Sequence, residues 1–90
     1  IQAIEALIQQ GQLNFGENYL QEALPKIQLL KYYPVIWHYI GKLQSNKVVS
    51  IAKHFSWVHS IDKLTNAEKL SAACLKQRKQ LNVCIEVNLY

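Results

Sequence analysis

The amino-acid sequence predicts an α/β protein, specifically a partial TIM (β/α)8 barrel with parallel strands and about four βα units. Short runs of β-branched and aromatic residues alternate with segments of helical periodicity, in the order αβαβαβαβ. The strands recur every ~22–25 residues without a hairpin signal, which favours crossover connections and parallel pairing. The last strand is apolar on both faces, as expected of a strand covered on both sides.

The first half of the chain contains two helix–strand units. Apolar residues recur at helical spacing over 1–10, and Gly11 ends this helix. Leu13–Phe15 is the first predicted strand. A second apolar stripe follows, but a proline within a helix removes a hydrogen bond and clashes with the preceding turn. Either this helix is kinked at Pro25 or, as we favour, it starts near Ala23–Leu24 with the proline in its first turn.

The second predicted strand and the turn that follows it form the stretch on which the function depends. Val35–Ile40 is a β-branched and aromatic run, and it is followed by Gly41, where the chain can turn freely. Ser45 is placed to cap a helix over Asn46–Phe55. Trp57–Ile61 then forms the third predicted strand. A strand, a polar turn and a helix make one βα unit, and ligands of such folds bind beyond the carboxyl ends of the strands.

The last unit leaves the predicted sheet open. Residues 65–68 match a capping box for a helix that runs to about Lys79, and the fourth strand spans Leu81 or Asn82 to Asn88. Four units are half of a barrel that typically needs ~250 residues. Exposed apolar edges would promote pairing with another chain. We therefore expect residues 1–90 to be a single segment, a fragment of a longer barrel, with self-association through the open edges.

Composition narrows the classes of function. The formal net charge is +4, but the cations are dispersed and the single cluster, Lys76–Lys79, ends a helix. The sequence therefore predicts no nucleic-acid partner. No apolar run approaches the ~20 residues of a membrane span, so no membrane partner is expected. Cys74 and Cys84 have no metal-site spacing and are interpreted as buried thiols of a cytoplasmic protein.

Polar groups follow the strands, and parallel strands would gather them at one rim. The residues concerned are Gly16, Glu17, Asn18, Gly41 to Asn46, Ser60, Asp62 and Asn88. Asn18 suits a turn or helix cap as well as a ligand, and Ser45, Asn46 and Asp62 are interpreted first as caps. His38 and His59 are interpreted as hydrogen-bonded core histidines. No pair of carboxylates, nucleophile set or glycine-rich phosphate loop can be assembled from these residues.

Four blocks of the sequence together resemble a known family. They are Phe15–Tyr19 followed by Gln21 and Glu22, the block Trp37–Lys47 with the pattern HxIGxLQSNK, Trp57–Asp62, and Leu81–Asn88. In this order and spacing the chain closely resembles the pyridoxal-phosphate homeostasis proteins. Members of that family are similar to the isolated barrel domain of alanine racemase.

The resemblance implies that the parent protein binds pyridoxal 5′-phosphate (PLP). In the family, the cofactor aldehyde forms a Schiff base with a lysine on the first barrel strand, and the last strands bind the phosphate. The lysine strand would precede Ile1 and the phosphate loops would follow Tyr90, so the resemblance implies that both are absent from this chain. The four strands would then be barrel strands two to five.

By position in the family's motifs, four residues are expected to contact the cofactor. The resemblance places Asn18 near the cofactor ring, with His38, Gly41 and Asn88 along the pocket wall. It assigns no catalytic residue and no metal ligand to this chain.

The resemblance implies a regulator or carrier of PLP without strong catalytic activity, with PLP-dependent enzymes as its expected partners. Two alternatives remain open at this point. One is a PLP-dependent racemase or decarboxylase of the same barrel class, which would need an acid–base group facing the lysine. The other is a non-catalytic fragment that binds RNA or protein, and salt-sensitive binding would identify the RNA case.

Overall fold

A computed structural model describes residues 2–61 and 63–85. It contains one sheet in which four strands follow one another in sequence order, and each neighbouring pair is parallel. The predicted α/β architecture and the parallel pairing are thus confirmed. The elements are α1 Gln2–Gln9, β1 Asn14–Glu17, α2 Leu20–Leu29, β2 Ile36–Tyr39, a 3-10 turn Ser45–Lys47, α3 Val48–His54, β3 Trp57–Ile61, α4 Leu64–Gln77 and β4 Asn82–Ile85.

The strand register aligns one residue of each strand across the sheet. Gly16 of β1 is paired with His38 of β2, which is paired with Trp57 of β3. Trp57 is paired in turn with Asn82 of β4. The carboxyl ends of β1, β2 and β3 therefore lie at the same edge of the sheet, as a shared rim requires.

The two faces of the sheet differ in burial because all four helices contribute to one core on one side. Trp37, Tyr39 and Val58 are buried in the same cluster as residues from α1, α2, α3 and α4. We call this side the helix-side face. Since neighbouring residues of a strand point to opposite sides, the alternate residues lie on a helix-free face. They include Asn14, Gly16, His38, Ile40, Trp57 and His59, each of which is exposed or half-buried.

The core is centred on α3. Phe55, Ile51 and Ala52 have no exposed surface, and the Phe55 ring packs edge-on against Tyr39 at 5.3 Å between centroids. Fully burying an aromatic or branched aliphatic side chain contributes about 1.5–3 kcal/mol to stability. The periodicity that predicted this helix thus identified its buried face correctly.

The structure corrects the start of the second helix. α2 begins at Leu20, and Pro25 lies inside it rather than in its first turn. Leu20 and Ala23 are buried against the core, and this burial offsets the hydrogen bond that the proline cannot donate. Pro25 itself is exposed, so its ring displaces no core side chain.

Two predicted helix caps are also wrong. Ser45 belongs to the 3-10 turn that precedes α3, and no side-chain hydrogen bond caps either the turn or the helix. α4 begins at Leu64, so Thr65 and Asn66 are inside its first turn and cannot form a capping box. Asn66 is buried and donates from Nδ2 to the carbonyl oxygen of Leu43 at 3.1 Å instead.

Several boundaries differ by a few residues, as fraying helix ends and short strands allow. β1 is displaced towards Glu17 relative to the predicted Leu13–Phe15, while β3 has the predicted bounds. Gly11 ends the first helix with a φ of +93°, a conformation that favours glycine. The part of the fourth strand predicted beyond Ile85, including Asn88, lies outside the described residues.

Candidate functional site

The ends of β1 and β2 meet at a contact between two predicted site residues. The Ile40 amide donates to the Glu17 carbonyl at 2.9 Å, which extends the pairing to the last residue of β1 and the residue after β2. Immediately beyond, a Cβ placed on Gly41 would overlap the carbonyl oxygen of Asn18 and lie 2.8 Å from its carbonyl carbon. Only glycine allows the two turns to approach this closely. Asn18 and Gly41 therefore lie side by side at the rim.

Two side-chain hydrogen bonds, one of them buried, hold the turn after β2 in place. The Tyr39 hydroxyl donates to the Lys42 carbonyl at 2.8 Å, and Asn66 of α4 donates to the Leu43 carbonyl. Burial of the Tyr39 side chain raises the pKa of its hydroxyl, so the hydroxyl stays protonated and remains a donor. The turn is therefore anchored to both the sheet and α4, which fixes Gly41 against Asn18.

Glu17, predicted at the rim, is turned away from the helix-free face. Its carboxylate is nearly buried on the helix-side face and pairs with Lys26 of α2 at 2.9 Å. This ion pair joins β1 to the following helix. Glu17 is therefore a structural residue of this unit and is not available as an acid at the rim.

A small polar cleft opens beside the rim on the helix side. It has a volume of about 140 Å³ and lies between the start of α2 and the turn after β2. Its polar lining includes Asn18, Gln21, Lys42, Gln44 and Lys47. Ammonium groups and helix-terminal amides can attract an anion. Most of these side chains are exposed, however, so the cleft does not by itself define a ligand.

A hydrogen-bonded row of side chains crosses the helix-free face. His38 Nε2 lies 2.8 Å from Asn14 Oδ1, and His38 Nδ1 lies 3.0 Å from His59 Nε2. The Trp57 ring stacks on both histidines, at centroid distances of 5.6 Å to His38 and 5.9 Å to His59. Burial, reinforced by the nearby His59, lowers the pKa of His38 and favours its neutral form.

The structure brings together some of the predicted site residues. Asn18 and Gly41 are adjacent, whereas His38 lies earlier on β2 within the row on the helix-free face. His38 and His59 are hydrogen-bonded as predicted, but they are half-buried on the open face and outside the core. Asn88 and Asp62 lie outside the described residues.

Two residues of the row were missed by the sequence analysis. Asn14 lies within the predicted first strand, but no functional role was predicted for it. Trp57 was treated only as a strand residue. The alternation of side chains along each strand could have identified the row. Asn14, His38 and His59 point to the opposite face of the sheet from the apolar residues of the core.

Other kinds of site find no support in the part of the chain that the structure describes. Within residues 2–61 and 63–85, no three His, Cys, Asp or Glu side chains are grouped as a metal site would require. Cys74 is a free thiol, but it is half-buried rather than buried as predicted, and the side chain of Cys84 lies outside the described part of the chain. Among the helices of these same ranges, none has the length and apolar character needed to cross a membrane.

Comparison with known proteins shows what the chain resembles. The family model described as "Alanine racemase, N-terminal domain" matches residues 1–89. A pyridoxal phosphate homeostasis protein from Pseudomonas aeruginosa is 52% identical over 79 residues, which cover 88% of this chain and 34% of the relative. The protein of the same name from Escherichia coli K12 is 43% identical over 90 residues, covering 97% of this chain and 38% of the relative.

A solved structure shares the fold over almost the whole chain. PipY from Synechococcus elongatus, determined with PLP bound, superposes with a TM-score of 0.91 at 38% sequence identity. The match covers 98% of this chain and 42% of PipY. The chain thus spans well under half the length of these relatives.

Proposed function

The chain belongs to the alanine racemase N-terminal domain family, and on this basis we propose that the full-length protein binds PLP and helps to control its supply in the cytoplasm. One observation of the structure carries the proposal. Asn18 and Gly41 lie in contact at the carboxyl ends of neighbouring parallel strands, where α/β barrels bind their ligands. The relatives named pyridoxal phosphate homeostasis proteins, and PipY with PLP bound, support the identity of the ligand.

The residues at this rim suit the cofactor. The exposed Asn18 side chain offers both a donor and an acceptor to polar atoms of the cofactor ring. Gly41 adds no side chain at the point where the two turns meet. We assign the pocket wall to His38, Gly41 and Asn88, the last of which lies outside the described residues. PLP itself would supply an aldehyde that condenses reversibly with amines.

We infer a carrier or regulatory role in preference to catalysis. The relatives are named for homeostasis of the cofactor. An enzyme that removes a proton from an amino acid needs an acid–base group held against the substrate. Tyr39, the tyrosine closest along the chain to Gly41, points to the helix-side face and already donates to Lys42. The alternative, a racemase or decarboxylase of the same barrel class, is favoured only by the description of the matched family.

We also propose two kinds of partner. PLP-dependent enzymes are natural recipients for a protein that controls the cofactor supply. In addition, the outer edge of β1 is unpaired among the described strands, so two copies of this chain could associate through the sheet edge.

Two assays of the full-length protein test this proposal together. We expect PLP to bind stoichiometrically, to be retained through dialysis and to give an absorbance spectrum distinct from that of free PLP. We further expect the loaded protein to racemise or decarboxylate alanine and related amino acids no faster than PLP free in solution. Absence of PLP binding would contradict the proposed function. Rapid racemisation or decarboxylation of amino acids would establish the enzyme alternative.

A further inference from the structure

A groove rich in lysine lies between α3 and α4. Its wider end has a volume of about 650 Å³ and is lined by Val49, Lys53, Ala73, Lys76, Gln77 and Lys79. An adjoining cavity shares Val49, Ala73 and Lys76 with this end and extends it past Lys69 to Ser45, in the turn before α3. We call the two parts together the α3–α4 groove.

The cations of the α3–α4 groove come from one face of each helix. Four residues at positions i, i+3, i+4 and i+7 of α4, and therefore on one side of it, line the groove: Lys69, Ala72, Ala73 and Lys76. Lys53 of α3 lines the other wall. α3 contains no acidic residue, and the one acid of α4, Glu68, does not line the groove. The groove therefore attracts anions.

Side-chain hydrogen bonds between the two helices fix the shape of the groove. Lys79 Nζ donates to the carbonyl oxygens of Lys53 at 3.0 Å and Phe55 at 2.7 Å, at the end of α3. Gln77 Nε2 donates to the carbonyl oxygen of Val49 at 3.2 Å. Because the walls are already held together, a ligand does not have to order them when it binds.

The apolar part of the groove selects among anionic ligands. Val49 is 66% exposed although it lines the groove, and Ala72 beside it is small. Nucleic acids are commonly bound through aromatic rings that stack on bases and through arginines that grip phosphates. The lining that the structure describes contains neither kind of residue. A polypeptide that presents acidic and apolar side chains on one face suits it better.

The spacing of the lysines on α4 suits a helix as the ligand. Lys69 and Lys76 are two helical turns apart, which is about 10 Å along the axis. Acidic residues at i and i+7 of a helix lying along the groove span the same distance. A second copy of this chain offers no such pair among its described helices, because α1, α2 and α4 contain one acidic residue each and α3 contains none.

We propose that the α3–α4 groove is a docking site for an acidic amphipathic helix of another protein. The carboxylates of that helix pair with Lys69 and Lys76 on one wall and with Lys53 on the other, while an apolar side chain covers Val49. Exposed ion pairs give selectivity and fast association more than affinity, and salt screens them. These lysines are not among the residues assigned to the cofactor, so the docking site does not depend on the proposed function.

A synthetic helical peptide tests the docking site on the full-length protein. The peptide carries glutamates at i and i+7 beside leucine and alanine, and a matched peptide carries glutamines at the same two positions. We expect fluorescence anisotropy to show saturable binding of the glutamate peptide, with the glutamine peptide bound about fivefold more weakly or worse. Raising the ionic strength to about 1 M should weaken binding of the glutamate peptide.

Variants of the full-length protein locate the binding. Lys76→Glu reverses a charge in the groove and should weaken binding of the glutamate peptide about tenfold. Lys31→Glu changes the net charge equally at an exposed lysine outside the groove lining, and it should alter the affinity by less than about twofold. Val49→Gln removes the apolar contact without changing the charge and should also weaken binding. Circular dichroism checks that each variant is folded.

The contrary results are equally specific. Equal weakening by Lys31→Glu and Lys76→Glu would show attraction to the net charge alone and would contradict a defined groove. Tighter binding of polyuridylate RNA than of the peptide, lost in Lys76→Glu, would assign the groove to nucleic acid instead. Failure of the full-length protein to bind the glutamate peptide would remove the docking site alone, because retention of PLP is measured separately.

Discussion

The α-carbon of Gly41 lies against the main-chain carbonyl of Asn18, with no room for a side chain between the turns that follow β1 and β2. We therefore expect Gly41→Ala to destabilise the protein by about 1–3 kcal/mol or more, because the neighbouring atoms belong to the backbone and cannot rotate away. Urea denaturation measures this change.

Gly16→Ala is the matched control for this prediction. Its Cβ would lie 3.1 Å from Cδ1 of Ile40, which is the end of a flexible and exposed side chain. We expect a cost well below that of Gly41→Ala. Equal costs at the two glycines would contradict the close approach of the turns.

The turn after β2 depends on Asn66 rather than on a helix cap. Asn66→Ala removes a buried donor and leaves the Leu43 carbonyl without it, so we expect a loss of about 1–3 kcal/mol. Thr65→Ala is the control, since Thr65 caps nothing and is exposed, and it should change stability by less than about 0.5 kcal/mol. Thermal unfolding of both variants checks this. A larger loss of stability in Thr65→Ala than in Asn66→Ala would instead support the predicted capping box.

Pro25 occupies an interior position of α2, whereas the sequence predicted a later helix start with the proline in the first turn. Pro25→Ala restores an amide that can donate to the Gln21 carbonyl and removes the steric conflict. Part of the gain is offset because the unfolded chain becomes more flexible. We expect a net stabilisation of about 1–2 kcal/mol. Pro34→Ala, outside any helix, is the control and should not stabilise the protein. An unchanged unfolding midpoint for Pro25→Ala would contradict the interior placement.

The stability of the folded chain should depend on pH through His38. Its pKa is below the ordinary value of 6.5 because of burial and the neighbouring His59. The unfolded chain therefore binds a proton that the folded chain does not. This contribution to stability is fully present above pH 6.5 and is lost as the pH falls through the lowered pKa.

Urea midpoints across this window measure the effect. His38→Gln should remove part of the decline in stability below about pH 6.5, whereas His54→Gln should leave the His38 contribution in place. A decline of the same size in His38→Gln and in the wild type would show that His38 is not responsible.

The order of elements and the direction of the strands were accessible from the sequence because they depend on local periodicity and connection length. β3 and the buried face of α3 are examples, since branched and aromatic residues mark them clearly. The start of α2 was not accessible, because the burial of Leu20 and Ala23 outweighs a local preference against an interior proline. Tertiary packing was decisive there.

The placement of the candidate site residues could likewise be predicted only in part. The meeting of Asn18 and Gly41 follows from parallel strands in the correct order, so motif position and topology sufficed. The partners of His38 could not be assigned, because its link to Asn14 and His59 requires the register of three strands. The role of Asn66 likewise depends on a carbonyl 23 residues away.

Binding of PLP to the full-length protein with Asn18→Ala, compared with Asn46→Ala, tests the central claim most directly. Both asparagines are exposed and follow a strand, but only Asn18 adjoins Gly41 at the rim. Loss of its hydrogen bonds should weaken binding about tenfold, while Asn46→Ala should bind as the wild type does. Equal affinity in all three proteins would contradict the assignment of the cofactor to this rim.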